Sequence, residues 1–369
     1  MPETRPRYSQ FRIAVLAILT LIAAGLVFRF WPDGGSPQPP APPPPPPFVP
    51  PSAELLVANA GSNSIVGFAM GPSRVDETPV RIIGGGLSAE AQSGLRNPFW
   101  LTVDRGGRIF TANLGDATPQ PGATGIELPR ITVHEVDANG ASAPFVAWDG
   151  NQLGFSNPRG LAVRRNPAAL FIVSQSAQGS SVIEAALPDG GPSFGHLAGA
   201  GLALVDPAGV ALDRVFNVYV ADSASDSIRI YAAWQPFTEC PCAPLRSIAG
   251  RNAGLDRPVS VAFDTRGNLY VTNYRQDQSN FGYISVFAPD AQGDVAPIRI
   301  LGVPTGAGSQ PPNLRRPIGI ALDILDRLYV TQENEVLVFA PDASDNAAPI
   351  QRIQHEKLNL TAGIAIRRN

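Results

Sequence analysis

A chain of 369 residues that is 44% hydrophobic and 16% charged, with 36 Gly and 38 Pro, is too apolar to stay disordered and too rich in turn formers to be mainly helical. Its formal charge of −3 gives no support to a nucleic-acid partner, because counterion release needs a basic face. Two cysteines, Cys240 and Cys242, supply neither a disulfide-rich scaffold nor a four-ligand zinc site.

The first element in the chain is an unbroken apolar run over residues 13–28, "IAVLAILTLIAAGLVF", extended to residue 31 by Arg29, Phe30 and Trp31. As a helix, 13–31 would span roughly 28 Å, close to a bilayer core. Arg29 can snorkel, and Phe30 and Trp31 suit the membrane interface. Arg5, Arg7 and Arg12 precede the run, so the positive-inside bias places residues 1–12 in the cytoplasm and the rest of the chain outside, periplasmic or extracellular. The competing reading is a signal peptide cleaved after Ala24, which would release a secreted protein, but Ile22 then occupies the −3 position that needs a small residue. The expectation is therefore an uncleaved anchor.

Residues 32–52 form a linker dominated by "SPQPPAPPPPPPFVPP" at 36–51. Proline lacks the amide donor of a helix or central strand. Polyproline II at about 3.1 Å per residue gives a semi-rigid stalk of roughly 50 Å. The stalk reads as a spacer. A ligand for a proline-binding module is the alternative.

From residue 53 to 369 the chain repeats. The clearest copy, 257–302, holds short strand-like runs at 259–264, 269–273, 284–288 and 298–301, rich in Val, Ile, Tyr and Phe and bounded by Gly, Pro, Asn or Asp. Its second run recurs six times, ending at or near Asn59, Asn113, Ser174, Asp222, Asn273 and Gln332. The proline that opens the first run recurs five times, at Pro98, Pro158, Pro207, Pro258 and Pro317. The copy that starts at Ala53 lacks a first strand, and "TAGIAIRRN" at the C-terminus is a first strand with nothing after it. The two ends therefore complete one sheet. Runs such as "ISVF" and "VLVF" lack polar alternation, so each four-stranded sheet needs cover on both faces. Six such sheets around an axis give an all-β, six-bladed β-propeller closed by the C-terminal strand.

"PIGIALD" with "RLYVTQ", and "PVSVAFD" with "GNLYVTN", resemble the NHL repeat. The resemblance extends over 53–369. It implies a propeller whose relatives include surface sensors, lyases, lactonase-like enzymes and scaffold modules, so it speaks to fold far more than to function. The anchor, stalk and propeller together look like the outer half of a bacterial receptor kinase.

In a propeller the residues that end strand two ring one face. Asn59, Asn113, Ser174, Asp222, Asn273 and Gln332 are thus candidate ligand-binding residues for a divalent cation or a small polar ligand over the central channel. The same residue types also end strands simply by bonding nearby amides, and Asp222 is the single carboxylate. Two residues after the opening proline the blades carry Gly160, Gly209, Ser260 and Gly319, with Gly363 at the matching position of the terminal strand, but Trp100 in one case. Trp100 is a candidate either for stacking on a ligand or for filling a void. Asp104, Asp213, Asp264 and Asp323 precede the turn to strand two on the opposite face and read as hairpin residues. His134 and Glu135 are neighbours on a predicted strand and so point to opposite faces. His196 and His355 are expected in loops. "CPC" offers a disulfide candidate between Cys240 and Cys242, which would form a small strained ring, or two free thiols. The "NLT" acceptor pattern at Asn359 leads into a buried strand and is discounted.

No catalytic residue emerges. The reading is a non-catalytic module that binds an unidentified protein or a small polar ligand, attached to the membrane through the N-terminal helix and needing no cofactor. The alternative is a metal-dependent lactonase- or lyase-like enzyme with Asp222, Asn113 and Asn273 as inner-face ligands. Intact mass with and without reductant decides the state of the cysteine pair.

Overall fold

The computed structural model describes residues 52–368 apart from 87–91, 116–127, 166–167, 177–178, 187–193, 199–203, 233–242, 276–279 and 304–312. The expected anchor, nearly all of the linker, and Cys240 and Cys242 lie outside the described residues. Among the described residues no helix is long and apolar enough to cross a membrane.

Among the described residues, twenty-four strands form six four-stranded antiparallel sheets. The first blade holds β1 (Ala53–Asn59), β2 (Ser64–Met70) and β3 (Val75–Gly84), and is completed by the last strand, β24 (Thr361–Arg368). The second blade runs from β4 (Pro98–Val103) through β5 (Ile109–Asn113) and β6 (Arg130–His134) to β7 (Val146–Asp149). The third comprises β8 (Asn157–Arg165), β9 (Ala168–Ser176), β10 (Gly179–Ala186) and β11 (Phe194–Ala198). The fourth comprises β12 (Pro207–Leu212), β13 (Val218–Asp222), β14 (Ser227–Tyr231) and β15 (Arg246–Ala249). The fifth comprises β16 (Pro258–Phe263), β17 (Leu269–Asn273), β18 (Tyr283–Phe287) and β19 (Arg299–Leu301). The sixth comprises β20 (Ile320–Leu322), β21 (Leu328–Gln332), β22 (Glu335–Phe339) and β23 (Gln351–Gln354). The six-bladed propeller expected from the repeats is the fold found. His196 lies on β11, where a loop was expected: the outer strand of the third blade has no apolar alternation to announce it.

In the second, fourth, fifth and sixth blades the second strand is buried along its whole length because each blade is covered on both sides, whereas outer strands such as β3 and β23 carry exposed polar residues. Leu55 and Val57 pack with Tyr329, Val336 and Val338 of the sixth blade. The alternate residues Leu56 and Ala58 pack with Leu101 and Ile109 of the second. Four further clusters fill the other four blade interfaces in the same way. With a period of two, a strand buried on both sides must be apolar throughout.

Around the axis the inner strands come so close that backbone meets backbone. A Cβ at Gly160 would lie 2.6 Å from the Ala208 carbonyl oxygen, one at Gly319 2.5 Å from that of Ala362, and one at Gly363 2.7 Å from the Trp100 Cα. This is why strand one carries a small residue two positions after its proline. Toward the outside, neighbouring blades are joined through backbone bridges. Gly140 N donates to the Ile82 carbonyl (2.7 Å), Gly293 N to that of Ser247 (2.6 Å) and Asp345 N to that of Ile300 (2.7 Å).

The seam that closes the ring pairs β1 with β24, Val57 opposite Ile364 and Leu55 opposite Ile366. Ile364 is buried, while Ile366 is partly exposed beside the same cluster. A charged triad also holds the seam. The Glu54 carboxylate accepts from Arg81 Nε and Nη2, both at 2.8 Å, and from Arg367 Nε at 3.0 Å. All three side chains are fully buried. They come from β1, β3 and β24, and Glu54 reaches Arg81 by crossing β2 at Gly67, where any Cβ would strike its Oε1. Burial lowers the Arg81 pKa, opposed by the Glu54 charge and its hydrogen bonds.

Removing residues 360–369 is expected to abolish the single cooperative melting transition and to yield aggregates on size-exclusion chromatography, since it reopens a sheet edge. Glu54→Gln is expected to lower stability by about 3–5 kcal/mol, because it leaves two buried guanidinium groups without their counter-charge. Chemical denaturation of the two chains measures the difference.

Candidate functional site

We call the face on which strand two ends the upper face. The predicted ring residues are all there, and all are buried. Their polar atoms are bonded to the chain itself in one recurring manner. Asn113 Oδ1 accepts from Arg96 N (3.1 Å), Ser174 Oγ from Asn157 N (3.3 Å), Asn273 Oδ1 from Asp256 N (3.0 Å) and Gln332 Oε1 from Arg315 N (2.8 Å). Each donor lies 17 residues before its acceptor, in the segment leading into strand one of the same blade. Asp222 does this with both oxygens, accepting from Asp206 N at 2.7 Å and Val205 N at 3.0 Å, and also takes the Ser225 hydroxyl at 2.6 Å. In the first blade the bond spans the seam, Asn359 N to Asn59 Oδ1 at 3.4 Å. The amide donors of Asn113 and Asn273 go to Thr132 Oγ1 and Ser285 Oγ, each at 3.1 Å. In every blade the end of strand two thus clamps the segment leading into strand one.

The lower face uses a matching device. One oxygen of Asp104, Asp213, Asp264 and Asp323 accepts the backbone N–H four residues on, at 2.8–2.9 Å. The other oxygen takes the side chain of that same residue, Arg108, Asn217, Asn268 or Arg327. These acids hold the hairpin between strands one and two, as expected.

Trp100 is 5% exposed. It packs between the second and third blades with Phe110, Leu153, Phe155 and Leu161, filling space where other blades set inner strand against inner strand. A four-residue helix, α1 (Gly150–Leu153), supplies Leu153 to that filling and is closed by a capping box between Asp149 and Gln152. The aromatic residue at the channel mouth is its neighbour Phe99. Together with Arg159, Asp206, Ala208, Ser223, Arg257, Val259, Tyr274 and Ile318, Phe99 lines a cavity of about 370 Å³. Phe99, Arg159, Ala208, Val259 and Ile318 all follow their proline by one residue, so four inner strands and the segment leading into β20 contribute. Since Pro+2 faces the next blade, Pro+1 has to face the other way, and that period-two signal was available in the sequence.

The cavity has apolar walls and a cationic rim. Arg159 pairs with Asp206 at 2.7 Å, and Gln175 Nε2 donates to the same oxygen at 2.8 Å. The Arg257 and Arg316 guanidinium carbons stand 5.9 and 5.7 Å from the centre of the Tyr274 ring. A second cavity of about 500 Å³ lies at the lower face, walled by Val163, Leu212, Phe216 and Phe263. Its carboxylates, Asp213 and Asp264, are the hairpin clamps already described.

His134 is fully buried. Its Nε2 lies 3.0 Å from the Ser93 carbonyl oxygen and so carries the proton, while Nδ1 has no partner among the described residues. Burial pushes its pKa down to about 4. Glu135 is exposed, so the two do not converge. The His355 ring packs edge-on to Phe68. Among the described residues no three His, Cys, Asp or Glu side chains converge as a metal site.

No family model matches the chain, and no curated protein matches it in sequence. Solved structures match its fold. A chain of a nidogen–laminin complex superposes with a TM-score of 0.58 at 15% identity, covering 85% of this chain and 98% of that one. A Bacteroides caccae protein of unknown function gives 0.55 at 10% identity, covering 86% and 100%. A Bacteroides uniformis protein provisionally assigned as a 6-phosphogluconolactonase gives 0.50 at 11%, covering 86% and 85%. At such identities the likeness shows the β-propeller scaffold and nothing of the role.

Two outcomes follow for the site. Asp222→Ala strands two backbone N–H groups and is expected to lower stability by about 1–3 kcal/mol for each buried group left unpaired, read by chemical denaturation. The second concerns pH. His134 takes its proton near pH 4 when folded and near 6.5 when unfolded, so the unfolded state protonates first as pH falls. Its contribution is full above about pH 6.5 and is lost toward pH 4, an effect of about 3 kcal/mol. His134→Gln is expected to flatten the pH dependence of the melting temperature in that window.

Proposed function

We propose that this chain is a membrane-anchored, outward-facing β-propeller of the cell envelope that acts as a non-catalytic binding module, with the upper mouth of its central channel as the binding face. The observation that carries this reading is the contrast on that face. The buried polar ring is committed to clamping backbone, whereas the cavity at the axis offers apolar walls and arginines directed to its rim. Ligand pockets commonly combine a mostly apolar lining with a few placed polar groups. Residues 1–12 would lie in the cytoplasm, 13–31 in the membrane and 32–52 in the stalk, with 53–369 as the exposed head. The arginines before the apolar run and the proline tract after it support that layout.

The alternative is a metal-dependent lactonase- or lyase-like enzyme using Asp222, Asn113 and Asn273. It is disfavoured by donor chemistry. A hard divalent cation needs several oxygen donors free to bind it, and both Asp222 oxygens already serve backbone amides. Elemental analysis of the purified chain, with lactone hydrolysis assayed with and without added zinc or calcium, separates the two. No metal-dependent turnover is expected. A stoichiometric ion supporting hydrolysis that Asp222→Asn abolishes would establish the enzyme instead. Membrane fractions washed with carbonate are expected to retain the full chain and to release a chain lacking 1–31.

A further inference from the structure

Several exposed or half-buried arginines of this chain pair with a carboxylate: Arg74, Arg108, Arg159, Arg266, Arg299 and Arg352 are all in ion pairs. Arg257 and Arg316 are different. Both are exposed, and neither has an ion-pair partner among the described residues. Each instead stands within 6 Å of the Tyr274 ring. Tyr274 and Arg257 line the upper cavity, so two guanidinium groups with no ion-pair partner among the described residues share one aromatic ring at its rim.

The backbone fixes this arrangement. Arg257 and Arg316 each precede a proline, at φ of 51° and 43°, a left-handed conformation that is uncommon for a long side chain. Arg257 is held there by both its main-chain groups. Its N–H donates to Asp226 Oδ1 at 2.7 Å, and its carbonyl accepts from Tyr274 N at 3.2 Å. The second bond ties the arginine directly to the residue on which it stacks. The neighbouring Arg315 N donates to Gln332 Oε1 at 2.8 Å, and its guanidinium lies 5.4 Å from the Phe281 ring centre, again with no carboxylate among the described residues. The ring-end clamps therefore also aim these arginines. Behind them the cavity wall is apolar, made by Phe99, Val259 and Ile318, while the remaining cation, Arg159, is neutralised by Asp206.

From this we infer that the upper cavity takes an organic anion with a flat apolar body, the body lying against Phe99, Val259 and Ile318 and its carboxylate, sulfonate or phosphate head held by Arg257 and Arg316. The inference rests on the reading of the upper mouth as the binding face and adds the class of ligand to it. Guanidinium groups donate in pairs to such heads, and stacking on Tyr274 holds them in place before the ligand arrives.

The test uses the full chain in lipid nanodiscs, with empty nanodiscs subtracted. Naphthalene-2-sulfonate is titrated calorimetrically against its neutral analogue, naphthalene-2-methanol. Saturable one-to-one binding of the sulfonate, weakened by added salt, is expected, with the neutral compound bound at least tenfold more weakly. Arg257→Gln and Arg316→Gln are each expected to weaken the sulfonate about tenfold with no change in melting temperature, and Arg257→Lys to recover part of the loss. Equal binding of the two compounds, or indifference to both glutamine variants, overturns the anion inference while leaving the upper face as a binding face. Binding of neither compound also overturns the anion inference. Val259→Trp, which fills the cavity, separates the two readings. If the sulfonate still binds that variant as tightly, the ligand sits elsewhere, and the upper-face reading falls as well.

Discussion

The β1–β24 seam is the constraint on which the rest of the molecule depends. A blade that is apolar on both sides is stable only between two others, so a ring with one gap exposes two such surfaces at once. The chain closes its gap by sharing one sheet between its two ends. Residue for residue, Val57 meets Ile364 and Leu55 meets Ile366. Hydrophobic pairing is non-directional and tolerates a slipped register. The Glu54–Arg81–Arg367 triad does not, because a slip by one residue would turn Arg367 to the other face and leave a buried carboxylate half-paired. Its contribution is best understood as register, bought at the desolvation of three charges.

The two faces of the ring have been put to different uses. On the lower face the acids at the hairpins are spent on their own turns. On the upper face the ring of strand-two ends looks, in projection, like a ligand-binding circle around the channel, but every member is bonded to the segment leading into its own strand one. The clamp has a second effect, since it positions the residues before the prolines, and these carry the arginines at the cavity rim. Structure and recognition are thus layered: a buried polar ring orders the backbone, and the backbone presents an exposed cationic rim.

Much of the fold was legible because its signals are local and periodic. Six recurrences of the LYVTN-like strand, the opening prolines and the orphan first strand at 361–368 are enough to count the blades and to close them. The hairpin role of Asp104, Asp213, Asp264 and Asp323 was equally local, since the partner lies four residues away. The triad was not legible. Residues 54, 81 and 367 belong to no shared period, and Gly67 matters only because a carboxylate crosses above it. Trp100 is the exception at a small-residue position, yet that position faces the next blade, and Phe99 is the aromatic residue at the mouth. Arg257 and Arg316 are not legible in the sequence, because they gain meaning from a left-handed backbone and from Tyr274, neither of which a hydrophobic pattern encodes. His196 sat in a strand whose sequence has no strand-like alternation.

The distance along the chain between Glu54 and Arg367, 313 residues, has a consequence for how the molecule comes into being. Domains fold as the ribosome delivers them, amino end first, but the first blade here is three-quarters made long before its missing edge exists. Throughout that interval Glu54 and Arg81 face an open border, and the edge of β1 is available to any strand that comes by. Five later blades can assemble in sequence from near neighbours. The first is finished last, so the edge of β1 stays open to mispairing until β24 is in place.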